Sequence, residues 1–232
     1  MRNKLLFEAV GTFFLCVASM MSASSLPVAA LLCALLYMGA PAGLMQYNPA
    51  LSLAFRIRGR ISTRTLAATV VVQLLAALAA AFVAGAMIGH DAERAKGAID
   101  ALGAPLFEGY VADGSAELLG TFLLAFVFLQ VGTSRLTAGN SYFGLVIALA
   151  AFGLQGVFSD HSPALNPATG LASALFGMCA ALAEGLDGTK AFVTETVYLA
   201  KVAPRVAADI AIQFLGAALA AWFFRYLFPE DR

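Results

Sequence analysis

Two copies of one tripeptide are the residues of this sequence that are best suited to chemistry. Asn48, Pro49 and Ala50 form the first copy, and Asn166, Pro167 and Ala168 form the second. Asn is a favoured helix N-cap because its side-chain oxygen accepts a backbone N–H of the first turn, and Pro suits the first helical position. Each copy therefore predicts the start of a helix, and the Asn amide nitrogen remains as a hydrogen-bond donor for a polar molecule.

The helices that begin at these tripeptides are predicted to be half-helices, at about 48–57 and 166–178. The basic run 56–60 closely follows the first tripeptide, whereas a helix needs roughly 20 apolar residues to cross a bilayer. Each half-helix has a partly positive N-terminus. Duplicated half-helices in a membrane chain are typical of a central permeation or binding site.

The composition indicates a protein with several membrane spans. Of the 232 residues, 61% are hydrophobic and 12% are charged, whereas an ordinary globular domain is about 25% charged. The net charge is zero, which argues against a nucleic-acid partner. The three cysteines and two histidines have no metal-ligand spacing, and no nucleophile–base pair or cofactor motif is visible. We therefore expect no metal, no cofactor and no enzymatic activity.

We predict an all-α membrane protein with six transmembrane helices. The spans are predicted at about 5–22, 26–46, 65–88, 116–133, 142–159 and 197–227. Basic residues concentrate on one side of these spans, and acidic residues dominate the other. The positive-inside rule then makes the basic side cytoplasmic. We expect both termini to be cytoplasmic, in a multi-pass protein of the plasma or inner membrane.

The two halves of the chain, about 1–90 and 113–232, resemble each other. Matching landmarks recur in the same order in the two halves: Glu8, Gly11, Thr12, Asn48 and Gln73, and then Glu117, Gly120, Thr121, Asn166 and Gln213. Because each half contains three predicted spans, the second half enters the membrane upside down relative to the first. This inverted repeat predicts that the half-helices meet near the bilayer midplane, within a single channel domain of residues 1–232.

Together these motifs resemble the aquaporin and glycerol-facilitator family, the major intrinsic proteins. The resemblance covers essentially the whole chain. It implies a lipid-embedded homotetramer with one pore in each subunit. It also implies passive conduction of water or small neutral solutes. We expect water and glycerol-sized polyols first, with hydrogen peroxide, urea and neutral metalloid hydroxides as further candidates.

The sequence departs from the family pattern at the selectivity filter. Family members usually carry Arg directly after the second tripeptide, where this chain has Thr169. The other filter positions fall at Val28, Leu154 and Pro163, with Pro27 as the alternative on the second span. The resemblance therefore implies an apolar, uncharged and wide filter.

Two cations near the start of the last predicted span, Lys201 and Arg205, have two alternative roles. Either residue can supply the charge that is missing at Thr169. Alternatively, both extend to the membrane interface and have no role in the pore.

Two carboxylates, Glu8 and Glu117, lie within predicted spans, and an acid inside a membrane is a functional candidate. In the structural interpretation each one accepts backbone N–H groups of the loop that leads into a half-helix, because such loops have unpaired donors. In the alternative, one of them carries protons in a proton-coupled secondary transporter. A third possibility is a non-conducting membrane interaction or junction protein of the same fold, with its pore closed by the apolar filter residues.

Overall fold

The structure, a computed structural model, describes residues 2–88, 109–161, 163–183 and 188–231. Within these residues the chain forms α-helices joined by loops and three short 3-10 turns. The helices are α1 (Arg2–Met21), α2 (Ser25–Gly39), α3 (Pro49–Ile57), α4 (Thr63–Ile88), α5 (Tyr110–Thr133), α6 (Phe143–Val157), α7 (Pro167–Ala183) and α8 (Gly188–Leu227).

Five of the described helices are long and apolar enough to cross a membrane, namely α1, α4, α5, the 202–227 part of α8, and α2 together with its 3-10 extension. Helix α6 is equally apolar but has 15 residues. The half-helices α3 and α7 begin at the two Asn-Pro-Ala tripeptides. The predicted all-α membrane architecture is therefore confirmed.

The predicted second span, 26–46, extended too far along the chain. Helix α2 ends at Gly39, a 3-10 turn containing Pro41 follows, and Gly43 adopts a φ of 113°. Pro cannot continue the hydrogen bonding of the helix, and a positive φ suits glycine. These two residues end the span, and the apolar residues after them form the loop into α3.

Helix packing interlocks the two halves of the chain. The first and third spans pack together within each half, as α1 with α4 and α5 with α8, and the second spans α2 and α6 pack across the halves. Each half-helix also contacts a third span of the other half, α3 against α8 and α7 against α4. The half-helices consequently lie at the centre of the bundle.

Loop contacts show which helix ends share a face of the bundle. The Tyr37 hydroxyl near the end of α2 donates to the Ser141 carbonyl before α6, at 2.8 Å. Asp231, after the end of α8, contacts Arg58 at the end of α3 and Arg135 after the end of α5. We call this the terminal face. The opposite, far face holds the end of α1, the start of α2 and the end of α6.

Asp231 is the centre of a charged cluster on the terminal face. Its carboxylate accepts hydrogen bonds from the Arg58 guanidinium at 2.8 Å and from the Arg135 backbone N–H at 2.9 Å. Burial by itself would raise the pKa of Asp231, but hydrogen bonds from Arg135 and Ser134 and the charge of Arg58 outweigh burial and hold the pKa below its ordinary value. The cluster ties the chain after α8 to the half-helix α3.

Candidate solute pathway at the paired half-helices

The two tripeptide asparagines cap the half-helices. The side-chain oxygen of Asn48 accepts the backbone N–H groups of Ala50 and Leu51, at 2.9 and 3.3 Å. The side-chain oxygen of Asn166 accepts the N–H of Ala168 at 2.9 Å. These contacts are the capping geometry that an Asn-Pro start favours.

The amide nitrogens of the same asparagines make hydrogen bonds between the two halves of the chain. Asn48 Nδ2 donates to the carbonyl of Leu165, and Asn166 Nδ2 donates to the carbonyl of Tyr47, both at 2.9 Å. Tyr47 and Leu165 have φ values of 51° and 55°, which are uncommon for residues other than glycine. An amide nitrogen carries two N–H donors. One donor on each Asn is therefore used inside the protein, and the other has no partner among the described residues.

The glycines of the two repeated segments make room for these unusual residues. A Cβ at Gly11 would overlap the ring of Tyr47, and a Cβ at Gly120 would overlap the side chain of Leu165. The alignment of the two halves of the chain matched Gly11 with Gly120 but gave neither glycine a role. Their matched positions were the signal that a loop residue approaches α1 and α5 closely.

Glu8 holds the loop that leads into the first half-helix. One carboxylate oxygen accepts the backbone N–H of Gln46, and the other accepts the N–H of Tyr47 and the side-chain Nε2 of Gln73, all at 2.9 Å. Glu8 itself is fully buried. A carboxylate that accepts several N–H donors anchors otherwise unpaired backbone groups within the membrane.

Glu117 makes the equivalent contacts in the second half. Its oxygens accept the backbone N–H groups of Ala164 at 2.6 Å and Leu165 at 3.0 Å, and the Nε2 of Gln213 at 3.0 Å. Gln73 and Gln213, which the alignment of the two halves had matched, therefore each donate to the glutamate of their own half. Neither Glu8 nor Glu117 is among the described residues that line the cavity between the half-helices.

That cavity runs past both asparagines and has mainly apolar walls. Its apolar lining comes from α1, α2, α3, α5 and α6, including Leu15, Leu32, Leu51 and Phe128. The described polar lining residues are Ser19, Gln46, Asn48, Gln155, Asn166 and Thr169. Polar groups that are few and fixed in an apolar wall are typical of a ligand pathway.

The four predicted filter positions are placed differently from one another. Val28 and Thr169 line the cavity. Leu154 is 8% exposed and packs in the hydrophobic core, and Pro163 is buried away from the cavity lining. On α6 the cavity is lined instead by Gln155 and its neighbours one and two turns earlier. A shift of one residue turns a side chain by about 100° around a helix, so the family-based position on α6 points into the core.

The cations proposed to replace the filter Arg do not appear in the described cavity lining. The Arg205 guanidinium binds Asp113, whose other oxygen lies 2.9 Å from Nδ1 of His161. The side chain of Lys201 lies outside the described part of the chain. The described lining residues therefore include no charged side chain at all.

The Thr169 hydroxyl is also engaged within the protein. Its Oγ1 lies 3.1 Å from the Asn166 carbonyl and donates its proton there. A hydroxyl has a single proton, so Thr169 can only accept a further hydrogen bond. At this position the protein offers an acceptor where Arg would offer donors.

No model of a known protein family matches this sequence, and no curated protein sequence matches it. Among solved structures, the chain is similar to the X-ray structure of the aquaglyceroporin from Plasmodium falciparum. The similarity has a TM-score of 0.67 at 17% sequence identity, and it covers 99% of this chain and 98% of the other. At this identity the likeness concerns the fold. The chain is therefore an integral membrane protein with the fold of an aquaglyceroporin.

Proposed function

We propose that this protein is a passive channel for water and small uncharged solutes such as glycerol. The observation that carries the proposal is the pair Asn48 and Asn166. Each lines the cavity and keeps one N–H donor after its contacts within the protein are counted. A pair of fixed donors in an otherwise apolar passage suits neutral molecules that carry oxygen.

The mechanism follows from the cost of leaving water. A polar molecule that enters an apolar passage without a hydrogen bond loses several kcal/mol. The free N–H groups of Asn48 and Asn166 replace part of its lost hydration, while the walls leave it mobile. The positive N-termini of α3 and α7 repel cations and orient the central water, which interrupts a chain of proton transfer.

The short, uncharged side chains at the filter positions leave room for solutes larger than water. Thr169 and Val28 are shorter than the Arg and aromatic residues that narrow a filter, and no described lining residue is charged. Glycerol therefore heads the list of solutes, with hydrogen peroxide, urea and neutral metalloid hydroxides as further candidates.

The contacts of Glu8 and Glu117 support a channel over a proton-coupled transporter. Both oxygens of each carboxylate accept N–H donors of loops and neighbouring helices. Neither side chain is in the described cavity lining. A proton carrier needs access to the transport path, and within the described part of the chain neither carboxylate lines that path.

The proposal also includes a membrane topology and an oligomeric state. Residues 1–90 and 113–232 form an inverted repeat, both termini are cytoplasmic, and four copies assemble with one pore each in a plasma or inner membrane. Support comes from the equivalent contacts in the two halves and from the arginines that cluster on the terminal face.

Stopped-flow measurements on proteoliposomes test the function. We expect protein-dependent permeability to water and glycerol that is linear in the gradient, with no proton leak from an enclosed pH-sensitive dye. Saturable uptake driven by a pH gradient would support the transporter instead. Intact protein that conducts none of the solutes would support the non-conducting alternative.

A further inference from the structure

Three arginines surround the carboxylate of Asp231 on the terminal face. Arg58, Arg60 and Arg135 all approach the same carboxylate oxygen, Oδ1, at 2.8, 3.6 and 3.7 Å. None of these four residues belongs to the described lining of the cavity between the half-helices. The concentration of positive charge at this point is therefore separate from the solute pathway.

Asp231 neutralises the three arginines to different extents. The Arg58 side chain is fully buried, donates to Asp231, and lies over the ring of Phe224 at 4.6 Å from the ring centre. A close charged hydrogen bond of this kind balances one charge against the other. Arg60 and Arg135 lie beyond hydrogen-bonding distance of Oδ1, and their side chains are 38% and 72% exposed. Both guanidiniums therefore keep donors for a group outside the protein.

The neighbouring residues leave an excess of positive charge. Arg225, in the last turn of α8, donates to a backbone carbonyl at the end of α3, so this contact leaves its charge uncompensated. Glu230 is the acid next to Asp231 in the chain. Among the described residues at this corner, four arginines therefore face two carboxylates. Because Arg60 and Arg135 reach the same oxygen, one phosphate group with its several acceptor oxygens can contact both.

Exposed aromatic side chains indicate that the cluster lies at the depth of lipid head groups. Trp222 and Tyr226 are four positions apart at the end of α8, and they are 56% and 80% exposed. Trp and Tyr are enriched where a membrane protein meets the head-group region. Leu136, which follows Arg135, is exposed as well. A molecule that carries both a phosphate and hydrocarbon chains suits this surface better than a free ion does.

We propose that Arg60 and Arg135 form a binding site for the phosphate group of an anionic lipid, in the leaflet at the terminal face. Arg60 is positioned by its hydrogen bond to the Thr133 carbonyl at 2.6 Å. Arg135 is positioned by its backbone N–H, which donates to Asp231 at 2.9 Å. The phosphate oxygens accept from both guanidiniums, and a lipid chain contacts Leu136. The bound lipid compensates the excess charge and links the loops that follow α3 and α5.

Native mass spectrometry of the protein in detergent micelles measures lipid binding directly. Phosphatidylglycerol, phosphatidylcholine and inorganic phosphate are each titrated against the wild type, Arg60→Gln, Arg135→Gln and Arg64→Gln. Arg64 is the matched control, because it is an exposed arginine near the start of α4 and lies outside the cluster.

We expect phosphatidylglycerol to bind the wild type more tightly than phosphatidylcholine, whose choline cancels the phosphate charge. Arg60→Gln and Arg135→Gln should each weaken phosphatidylglycerol binding by about fivefold, and Arg64→Gln by less than about twofold. Arg135→Gln decides even if Arg60→Gln does not fold, because the backbone N–H of Arg135 makes the close contact with Asp231.

Other results would overturn the assignment. Equal affinity for the two lipids would mean that the charge of the phosphate is not recognised. Equal weakening in Arg64→Gln would mean that the whole basic face attracts lipid without a defined site. Inorganic phosphate that binds as tightly as phosphatidylglycerol would assign the site to the free ion. The channel function is tested separately, since a protein that binds the lipid but conducts no solute overturns only the channel.

Discussion

Replacing Glu117 by Gln tests how the second half-helix is held in place. The substitution keeps the shape of the side chain but turns one of its two oxygens into an NH₂ donor. In the wild type both oxygens accept, from the backbone N–H groups of Ala164 and Leu165 and from Gln213. In Glu117→Gln an NH₂ group must face at least one of these N–H donors, and that contact is lost.

The magnitude follows from the three hydrogen bonds. A hydrogen bond to a charged group contributes about 1.5–3 kcal/mol and a neutral one about 0.5–1.5 kcal/mol, so two retained bonds lose roughly 2 kcal/mol in total. The backbone N–H that loses its acceptor costs about 1–3 kcal/mol more. Relief from burying a charge offsets part of this loss. We expect the free energy of unfolding to fall by about 2–4 kcal/mol.

The assay is reversible unfolding in mixed detergent micelles, read by circular dichroism. Glu8→Gln should lose a similar amount, because Glu8 also accepts three N–H donors. Leu123→Ala, on an exposed face of α5, is the control and should lose far less. The conduction of folded Glu117→Gln should not depend on pH. Stability within about 0.5 kcal/mol of wild type would refute the anchoring argument, and loss of a pH-driven uptake would point to proton transport.

Three further substitutions test other parts of the structure. Thr169→Arg adds a long cation with several donors to the cavity, and stopped-flow assays should show a larger fall in glycerol than in water permeability; an unchanged ratio would contradict the wide, uncharged mouth. Gly11→Ala should abolish folded yield in size-exclusion chromatography, because its Cβ overlaps the Tyr47 ring, whereas Gly153→Ala, with open space around it, should express normally. Asp231→Asn should lower the midpoint of thermal unfolding at neutral pH. Since the folded-state pKa of Asp231 lies below its ordinary value of 3.8, its stabilisation is present above that value and is lost as pH falls through the folded-state pKa. The wild-type and Asp231→Asn midpoints should therefore converge in acid, and a difference that persists below the folded-state pKa would refute this explanation.

The half-helices and most spans were predictable because their signals are local. Asn followed by Pro determines where α3 and α7 begin, through capping and a fixed φ. The length and apolarity of a segment indicate a membrane span. The end of α2 was harder to place, because the apolar run continues through Met45 while Pro41 and Gly43 stop the helix.

The residues that line the wall of the pathway could not be predicted from such local signals. Whether Leu154 or Gln155 faces the cavity depends on the rotation of α6, which sequence spacing leaves uncertain by one residue. The partner of Arg205 is Asp113, on a helix distant in sequence, and no local pattern indicates that pair. The side-chain oxygen of Gln46 is buried without a partner among the described residues, which follows from the fold of a loop that contacts Glu8 of the first half and Asn166 of the second. Such features depend on tertiary packing and were beyond prediction from a single sequence.

The crossed bonds between the asparagines and the opposite loops have a consequence for biosynthesis. When only the first half has entered the bilayer, the Asn48 amide and the Tyr47 carbonyl both lack the partners that residues 165 and 166 later supply. Unpaired groups at that depth are costly. We therefore expect the first half-helix to lack a stable position until the second half-helix has been synthesised and inserted. Two separately expressed halves should each be degraded quickly by cellular quality control, and should protect one another when produced together.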